Sequence, residues 1–477
     1  MQNSEKIWTH VEAKREPFIQ LADTVWGMPE TCYTEVRSCA EHLAEMQRQG
    51  FRVTENVAGI PTALMGEAGE DGPVIAILGE YDALPGLSQE AGVAEYRPMP
   101  GQSNGHGCGH NLLGSAALLA ATAVKDWMAE NGIKGRVRYY GCPAEEGGAA
   151  KAFMVRAGAF DDVDIAITWH PNAFFEVADA LSLANTRIDF TFHGRASHAA
   201  ASPHLGRSAL DAVELMNVSV NYMREHMPSD ARIHYAMIDS GGIAPNVVQA
   251  RARVRYSVRA IDLPQMLELL ERVKNCARGA ALMTDTKVEI EVLSAVSNLL
   301  ANEPLEQAMQ EVFDRLGTPE YDEQDRDFAR QIQATLSAGD IANAFKRSGV
   351  KAKQGMMIHD HVKPRHVTGV PMIGSTDVGD VSWVVPTVQA HAATYAIGTP
   401  GQSWQLTAQG KSPIAHKGMI HVAKVMAATA VAAIEDPTLI ARAKADLAER
   451  TAGTPYVCPI PEGVEPPLAA MAMASGS

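Results

Sequence analysis

Five consecutive apolar residues, Val74-Ile75-Ala76-Ile77-Leu78, are closed off by Gly72-Pro73 on one side and Gly79 on the other. A run this short and this rich in β-branched residues reads as a strand buried on both faces, the kind found in parallel sheets covered by helices. The following segments keep that rhythm. In GHGCGHNLLGSAALLAATAVKDWMAE a Gly-rich segment enters an Ala/Leu helix. RVRYYGCP is a strand, EEGGAAKAFMVRAG a turn and helix, and DIAITWHP another strand. Strands alternating with helices predict an α/β domain with a largely parallel sheet.

The rhythm changes near residue 183. LANTRIDFTFHG, RIHYAMIDSGG, VVQARARVRYSVRA and KVEIEVLSAV alternate apolar and polar residues, as half-exposed strands do. RSALDAVELMNVSVNYMREH and LPQMLELLERVKNCARGAALM read as helices between them. Four strands and two helices in this order predict a compact α+β insert with one open sheet face, whose sheet could pair with a second subunit. From about residue 300 helical patterns resume, and VQAHAATYAIGTP with HKGMIHVAKVMAATAVAAIE returns to strand-then-helix chemistry. A chain of 477 residues exceeds what one core usually supports. The expected division is residues 1–182 and 298–477 as one catalytic domain, interrupted by 183–297. The first fifty residues have helical spacing. The tail AAMAMASGS reads as frayed, and residues 318–370, with His359, His361 and His366, read mainly as surface decoration.

The formal net charge of -15 argues against nucleic acid or an anionic membrane as partner. No stretch reads as a bilayer span and the N-terminus lacks a signal-peptide pattern. The six scattered cysteines do not form a disulfide framework, so a reducing cytoplasm is expected. There, a cysteine beside a histidine raises a metal or catalytic reading.

Cys108-Gly109-His110 offers a thiolate and an imidazole that can face one point, a donor pair suited to Zn²⁺ or a similar ion. Glu145-Glu146 follows a buried strand, where adjacent carboxylates need a partner. One can hold an ion while the other faces water. An acidic first turn of the next helix is the plainer account of that pair. His170 closes a strand of the α/β sheet, where such folds bind ligands, and His416 opens the long C-terminal helix. Cys108 with His110 could alternatively be a nucleophile and its base, which would leave Glu146, His170 and His416 idle.

Together these motifs resemble the amidohydrolase branch of the M20 metallopeptidase family. GHGCGHNLLG, GCPAEEGGAAK, SPHLGRSALDAVELM, SGGIAPNVVQA, STDVGDVSW, SWQL, AHKGM and PYVCPIP carry the resemblance over nearly the whole chain. It implies a mixed-sheet, zinc-peptidase-like catalytic domain whose α+β insert acts as lid and dimerisation module. It implies two divalent ions per subunit, Mn²⁺ or Zn²⁺, held by Cys108, His110, Glu146, His170 and His416, with Glu145 as catalytic base. By the same resemblance His198 reaches the scissile carbonyl, in many members from the partner subunit, and Asn246 and Arg259 bind substrate. A guanidinium suits a carboxylate, although Arg259 could equally form a cross-strand salt bridge and His198 could be an idle loop residue. The implied substrate is a small-molecule N-acyl amino acid with an aromatic acyl group, such as p-aminobenzoyl-glutamate. The implied assembly is a homodimer through the insert, or a hetero-oligomer with a related A-type subunit. The chain departs from the family at Glu80-Tyr81-Asp82, where His-x-Asp is usual, so that Asp82 would support a ligand rather than bind the ion. It also has Asn111 where the branch has Asp.

Overall fold

The computed structural model describes residues 4–353, 355–370 and 374–469. The tail expected to fray falls almost entirely on residues 470–477, outside that set. Eleven strands form two sheets. They are β1 (Arg52–Glu55), β2 (Leu64–Glu70), β3 (Val74–Glu80), β4 (Gly135–Cys142), β5 (Ile165–Asn172), β6 (Glu176–Val177), β7 (Ala184–His193), β8 (Arg232–Asp239), β9 (Arg251–Ala260), β10 (Lys287–Val296) and β11 (Thr387–Ala393).

The large sheet has the order β1-β2-β4-β3-β5-β11-β6. Its centre, β4-β3-β5-β11, is parallel, while β1, β2 and β6 add antiparallel pairs at the edges. The sheet is therefore mixed. Every residue of β3 is buried. Ile75 and Ile77 join the core beneath the helices His110–Asn131 and Pro413–Glu435, and Val74, Ala76 and Leu78 join the core on the opposite face. Each such side chain contributes about 1.5–3 kcal/mol when fully buried. Those two helices are long and apolar enough to cross a bilayer by composition, against the sequence expectation that none is, and 83% of each apolar window is buried inside the fold. A helix in the middle of a large core needs apolar residues all round.

The small sheet, β10-β7-β9-β8, is antiparallel. Helices Ala209–Met223 and Leu263–Thr284 cover one face. In β9, Ala252, Val254, Tyr256, Val258 and Ala260 lie beneath them, which puts Arg251, Arg253, Arg255, Ser257 and Arg259 on the other face. Ser208 and Asp262 cap the two helices by accepting the backbone N–H of Asp211 and Gln265. The chain enters this unit at β7 and leaves it at β10, strands paired side by side with Asn185 opposite Val296. At the crossing the Leu299 N–H donates to Ser182 Oγ at 2.7 Å.

Candidate metal centre

The chemistry gathers at the carboxyl ends of β3, β4 and β5 and at the start of helix His110–Asn131. Gly109 has φ +79°, and a Cβ there would meet the Pro171 ring at 3.0 Å, so glycine lets Cys108 and His110 pass close over the end of β5. Cys108 Sγ then lies 3.4 Å from His170 Nε2. His170 Nδ1 faces the Pro171 carbonyl at 2.9 Å, which only accepts, so Nδ1 carries the proton and Nε2 keeps the lone pair that can bind an ion. His110 is fully buried. Its Nδ1–H donates to Asp82 Oδ1 at 2.8 Å, and Asp82 Oδ2 accepts the Glu146 backbone N–H at 2.8 Å. Asp82 thus fixes the tautomer of His110 and also ties down the carboxylate loop. His110 Nε2 points at Glu80 Oε2 (3.3 Å) and Glu145 Oε2 (4.0 Å).

That loop is held in an uncommon backbone conformation. Ala144, Gly147 and Ala149 have φ of 56°, 108° and 57°. Glu35 supports it by accepting the Ala144 and Tyr33 N–H groups and the Thr62 hydroxyl. Beneath the loop, the fully buried Lys151 Nζ bridges Glu80 Oε1 (2.6 Å) and Asp377 Oδ1 (2.7 Å).

The donor atoms of Cys108, His110 and His170 lie within 4.8 Å of one another, and so do those of Glu80, His110 and Glu145. His110 is common to both groups. Glu80 Oε2, His110 Nε2 and Glu146 Oε1 are buried without a hydrogen-bond partner, a cluster that asks for a missing partner. Burial, then Glu80 and Glu146, push the Glu145 carboxyl well above the carboxylate range. Burial also pushes Glu146 up to about 7 and lowers His170 to about 4. Burial works against a charged His110, yet Cys108, Asp82 and Glu80 hold its proton well above the usual imidazole range. Nitrogen, sulfur and carboxylate donors of this kind fit a divalent cation, which would supply the lacking positive charge.

Neither Glu146 nor His416 is a member of either donor group. Other expected site residues lie elsewhere. On helix Pro413–Glu435 His416 faces the helix Arg15–Trp26, and its Nε2 lies 2.8 Å from Asp23 Oδ1. Gln402, with φ 54°, lines the adjoining cavity, and its amide donates to Glu146 Oε2 at 3.1 Å. His198 and Asn246 are exposed and adjoin one another in the small unit, where the Ala199 N–H donates to the Asn246 carbonyl. His198 Nδ1 accepts the Ala200 and Ala201 N–H groups. Within one chain neither lines the cavity beside the cluster. Arg259 is closer, with Nη1 donating to Ser375 Oγ at 3.3 Å on the cavity wall.

That cavity measures about 740 Å³ and runs from Cys108, Glu145 and His170 past Phe174 and Tyr395. Residues 318–370 are not mere decoration. Asn343, Arg347 and Lys363 line the cavity, and the buried His359 accepts the Phe175 N–H.

The sequence matches Peptidase family M20/M25/M40 over residues 76–463. The chain belongs to that family, and its fold and site are those of a metal-dependent hydrolase. Among individual proteins it is 48% identical over 467 residues to the B-type subunit of p-aminobenzoyl-glutamate hydrolase from Escherichia coli K12, covering 96% of this chain and 97% of that one. A dinuclear metal-binding M20 peptidase from Bacillus subtilis shares the fold with TM-score 0.57 at 17% identity, over 89% of this chain and 99% of the other. An aminobenzoyl-glutamate utilization protein from Klebsiella pneumoniae does so with TM-score 0.56 at 15% identity, over 88% and 97%.

Proposed function

We propose that this chain hydrolyses the amide bond of p-aminobenzoyl-glutamate, releasing p-aminobenzoate and glutamate, with two Mn²⁺ or Zn²⁺ ions held by Cys108, His110, Glu146 and His170. The observation that carries this reading is the set of buried, unpartnered donor atoms at the end of a cavity large enough for an aromatic acyl group. Glu80 is a further candidate donor, and the count of two ions follows the dinuclear M20 peptidase that shares the fold. Divalent ions at this place supply Lewis acidity and activate water. Glu145 takes the proton from the attacking water and delivers it to the leaving amine, a role suited to its place on the cavity wall beside His110. Phe174 and Tyr395 face the aromatic ring, and Arg259 holds the amino-acid carboxylate. In our reading the small unit is the lid, with Asn246 orienting substrate and His198 reaching the carbonyl from a partner subunit. Its edge strand β8 exposes Tyr235, Met237 and Ile238, which suits pairing into a homodimer. Six free cysteines suit a cytoplasmic enzyme.

The test is hydrolysis of p-aminobenzoyl-glutamate by the purified chain, before and after chelation and with Mn²⁺ or Zn²⁺ restored. Chelation should abolish activity and an added ion should restore it. Failure on this substrate with hydrolysis of other N-acyl amino acids or dipeptides would move the specificity. Activity appearing only with a related A-type subunit would make the chain half of a hetero-oligomer. Activity indifferent to chelator would favour Cys108 as nucleophile, which its burial opposes by pushing the thiol pKa up.

A further inference from the structure

The open face of the small sheet carries a row of arginines, and most of them are paired. Arg251 meets Asp239 at 2.6 Å, and Arg255 and Arg253 meet Asp189 at 2.7 and 3.6 Å. Two members of this face are different. Arg187, on β7, makes no hydrogen bond or ion pair among the described residues although it is half-buried, and the carboxylate whose charge reaches it, Asp189, already pairs with Arg253 and Arg255. Arg259, on β9, has its Nε buried without a partner, and its one side-chain hydrogen bond among the described residues goes to the neutral Ser375 hydroxyl. In the register, Arg187 lies opposite Ser257 and Arg259 opposite Asn185. The two arginines are therefore diagonal neighbours on one face, about 7–8 Å apart at their Cα atoms.

The Arg187 guanidinium lies over Gly147, directly after the Glu145-Glu146 pair. A Cβ on Gly147 would sit 2.7 Å from Nη1 and 2.8 Å from Nη2. From the neighbouring strand, Ser294, opposite Arg187 in the register, donates its hydroxyl to the Gly147 carbonyl at 2.9 Å. Arg187 is thus set against the Glu145-Glu146 loop with no ion pair of its own among the described residues. An unpaired, partly buried guanidinium is costly to keep unless an anion visits it. Two such groups side by side, one over the loop that follows Glu145-Glu146 and one against Ser375 of the cavity wall, fit a leaving group with two carboxylates.

We propose that Arg187 and Arg259 form a two-guanidinium receptor for a dicarboxylic amino acid, with Arg259 reading the α-carboxylate and Arg187 the side-chain carboxylate. This rests on the proposed amidohydrolase reading and deepens it. Arg187 is then the residue that separates acidic from neutral amino-acid conjugates. It does no bond-making. It positions the leaving group by a charge-assisted, bidentate contact available only to a second carboxylate.

The test compares p-aminobenzoyl-L-glutamate with p-aminobenzoyl-L-glutamine, which differ only in the charge and donor pattern of the side-chain terminus. The native chain should prefer the glutamate conjugate about 10- to 100-fold in kcat/KM, the range of one charged hydrogen-bond contact. Arg187→Met should reduce that preference to less than about threefold, with the loss appearing in KM for the glutamate conjugate. Arg187→Lys should restore part of it. Arg259→Met should depress both conjugates together. Calorimetric binding of free L-glutamate and L-glutamine to the metal-free chain gives a second reading that does not depend on turnover. Glutamate should bind more tightly, and Arg187→Met should remove the difference. An equal loss on both conjugates in a folded Arg187→Met variant would reduce Arg187 to a prop for the loop and overturn the proposal. A native chain that does not distinguish the two amino acids in either experiment would overturn it as well. Should the native chain cleave neither conjugate yet still bind glutamate selectively, the substrate reading fails while the receptor stands.

Discussion

Charge is handled in opposite ways around the two sheets. Near the large sheet, Glu35, Glu80, Asp82, Lys151, Asp377 and Asp380 are all at most 2% exposed. In the small unit, among described residues 184–296, Asp189 is the one charged side chain buried to that degree, and its partners Arg253 and Arg255 reach solvent. Fully buried histidines follow the same division. His42, His106, His110 and His359 are buried in the large unit, whereas His193, His198, His204, His226 and His234 of the small unit are exposed. A sheet that builds a catalytic centre has to take ionisable groups out of water and then satisfy them with one another. A sheet that only presents residues to that centre can leave most of its charges hydrated, where each is worth little.

The largest test of this contrast is at Lys151. Lys151→Met would leave Glu80 and Asp377 buried without their cation, and should destabilise the large unit by about 3–5 kcal/mol. In calorimetry its transition should drop while that of the small unit stays in place. Equal displacement of both transitions would show that the two units melt as one and would break the comparison.

Acid provides the next test. Burial lowers the His42 pKa to about 3, against an ordinary value near 6.5. The folded state therefore resists a proton that the unfolded chain accepts. The stability tied to His42 is present above pH 6.5 and is lost as pH falls toward 3. His42→Asn removes that pH dependence, so the stability gap between native and variant chains should narrow by about 2–3 kcal/mol between pH 7.5 and pH 4.5. Urea titration at the two pH values measures it. His226→Asn, on the exposed surface, should change stability by less than about 0.5 kcal/mol at either pH.

A smaller effect is expected when an ion pair of the small unit is broken. Arg255 makes two contacts to Asp189, at 2.7 and 3.0 Å, with Arg253 still nearby when Arg255 is removed. Arg255→Met should cost about 1 kcal/mol in denaturant unfolding. A cost as large as that of Lys151→Met would mean that the open face is as tightly built as the catalytic centre.

Much of this organisation can be read from the chain, because it depends on short-range periodicity. The five-residue run at 74–78 and the alternation RARVRYSVRA state directly which faces are buried. β1 and β2 escape such a reading, since RVTE and LMGEAGE are too polar and too Gly-rich to stand out. In the site, Cys108, His110, Glu145, Glu146 and His170 can be nominated because they stand at strand ends or a helix start. His416 cannot be placed from spacing, since the rotation of its helix decides whether it faces the cluster or Asp23. Lys151 reads as an ordinary helix lysine, and its role depends on Glu80 and Asp377, 71 and 226 residues away. Gln402 carries no ligand signature, and its left-handed backbone gives no signal in the sequence. Arg187 reads like any polar residue on an open strand face, and only the fold reveals that it lacks a partner.

If the small unit swings as the proposed lid, the side-by-side crossing at Ser182 and Leu299 is its fulcrum. Arg187 lies three residues into β7 from Ala184, while His193 ends the strand. At about 3.3 Å per residue, these points are roughly 10 and 30 Å from the fulcrum. A swing of about 10° would shift the first by roughly 2 Å and the second by roughly 5 Å. Carboxylate recognition near the pivot would stay almost in register throughout such a swing, while the distal end carrying His198 and Asn246 covers most of the travel.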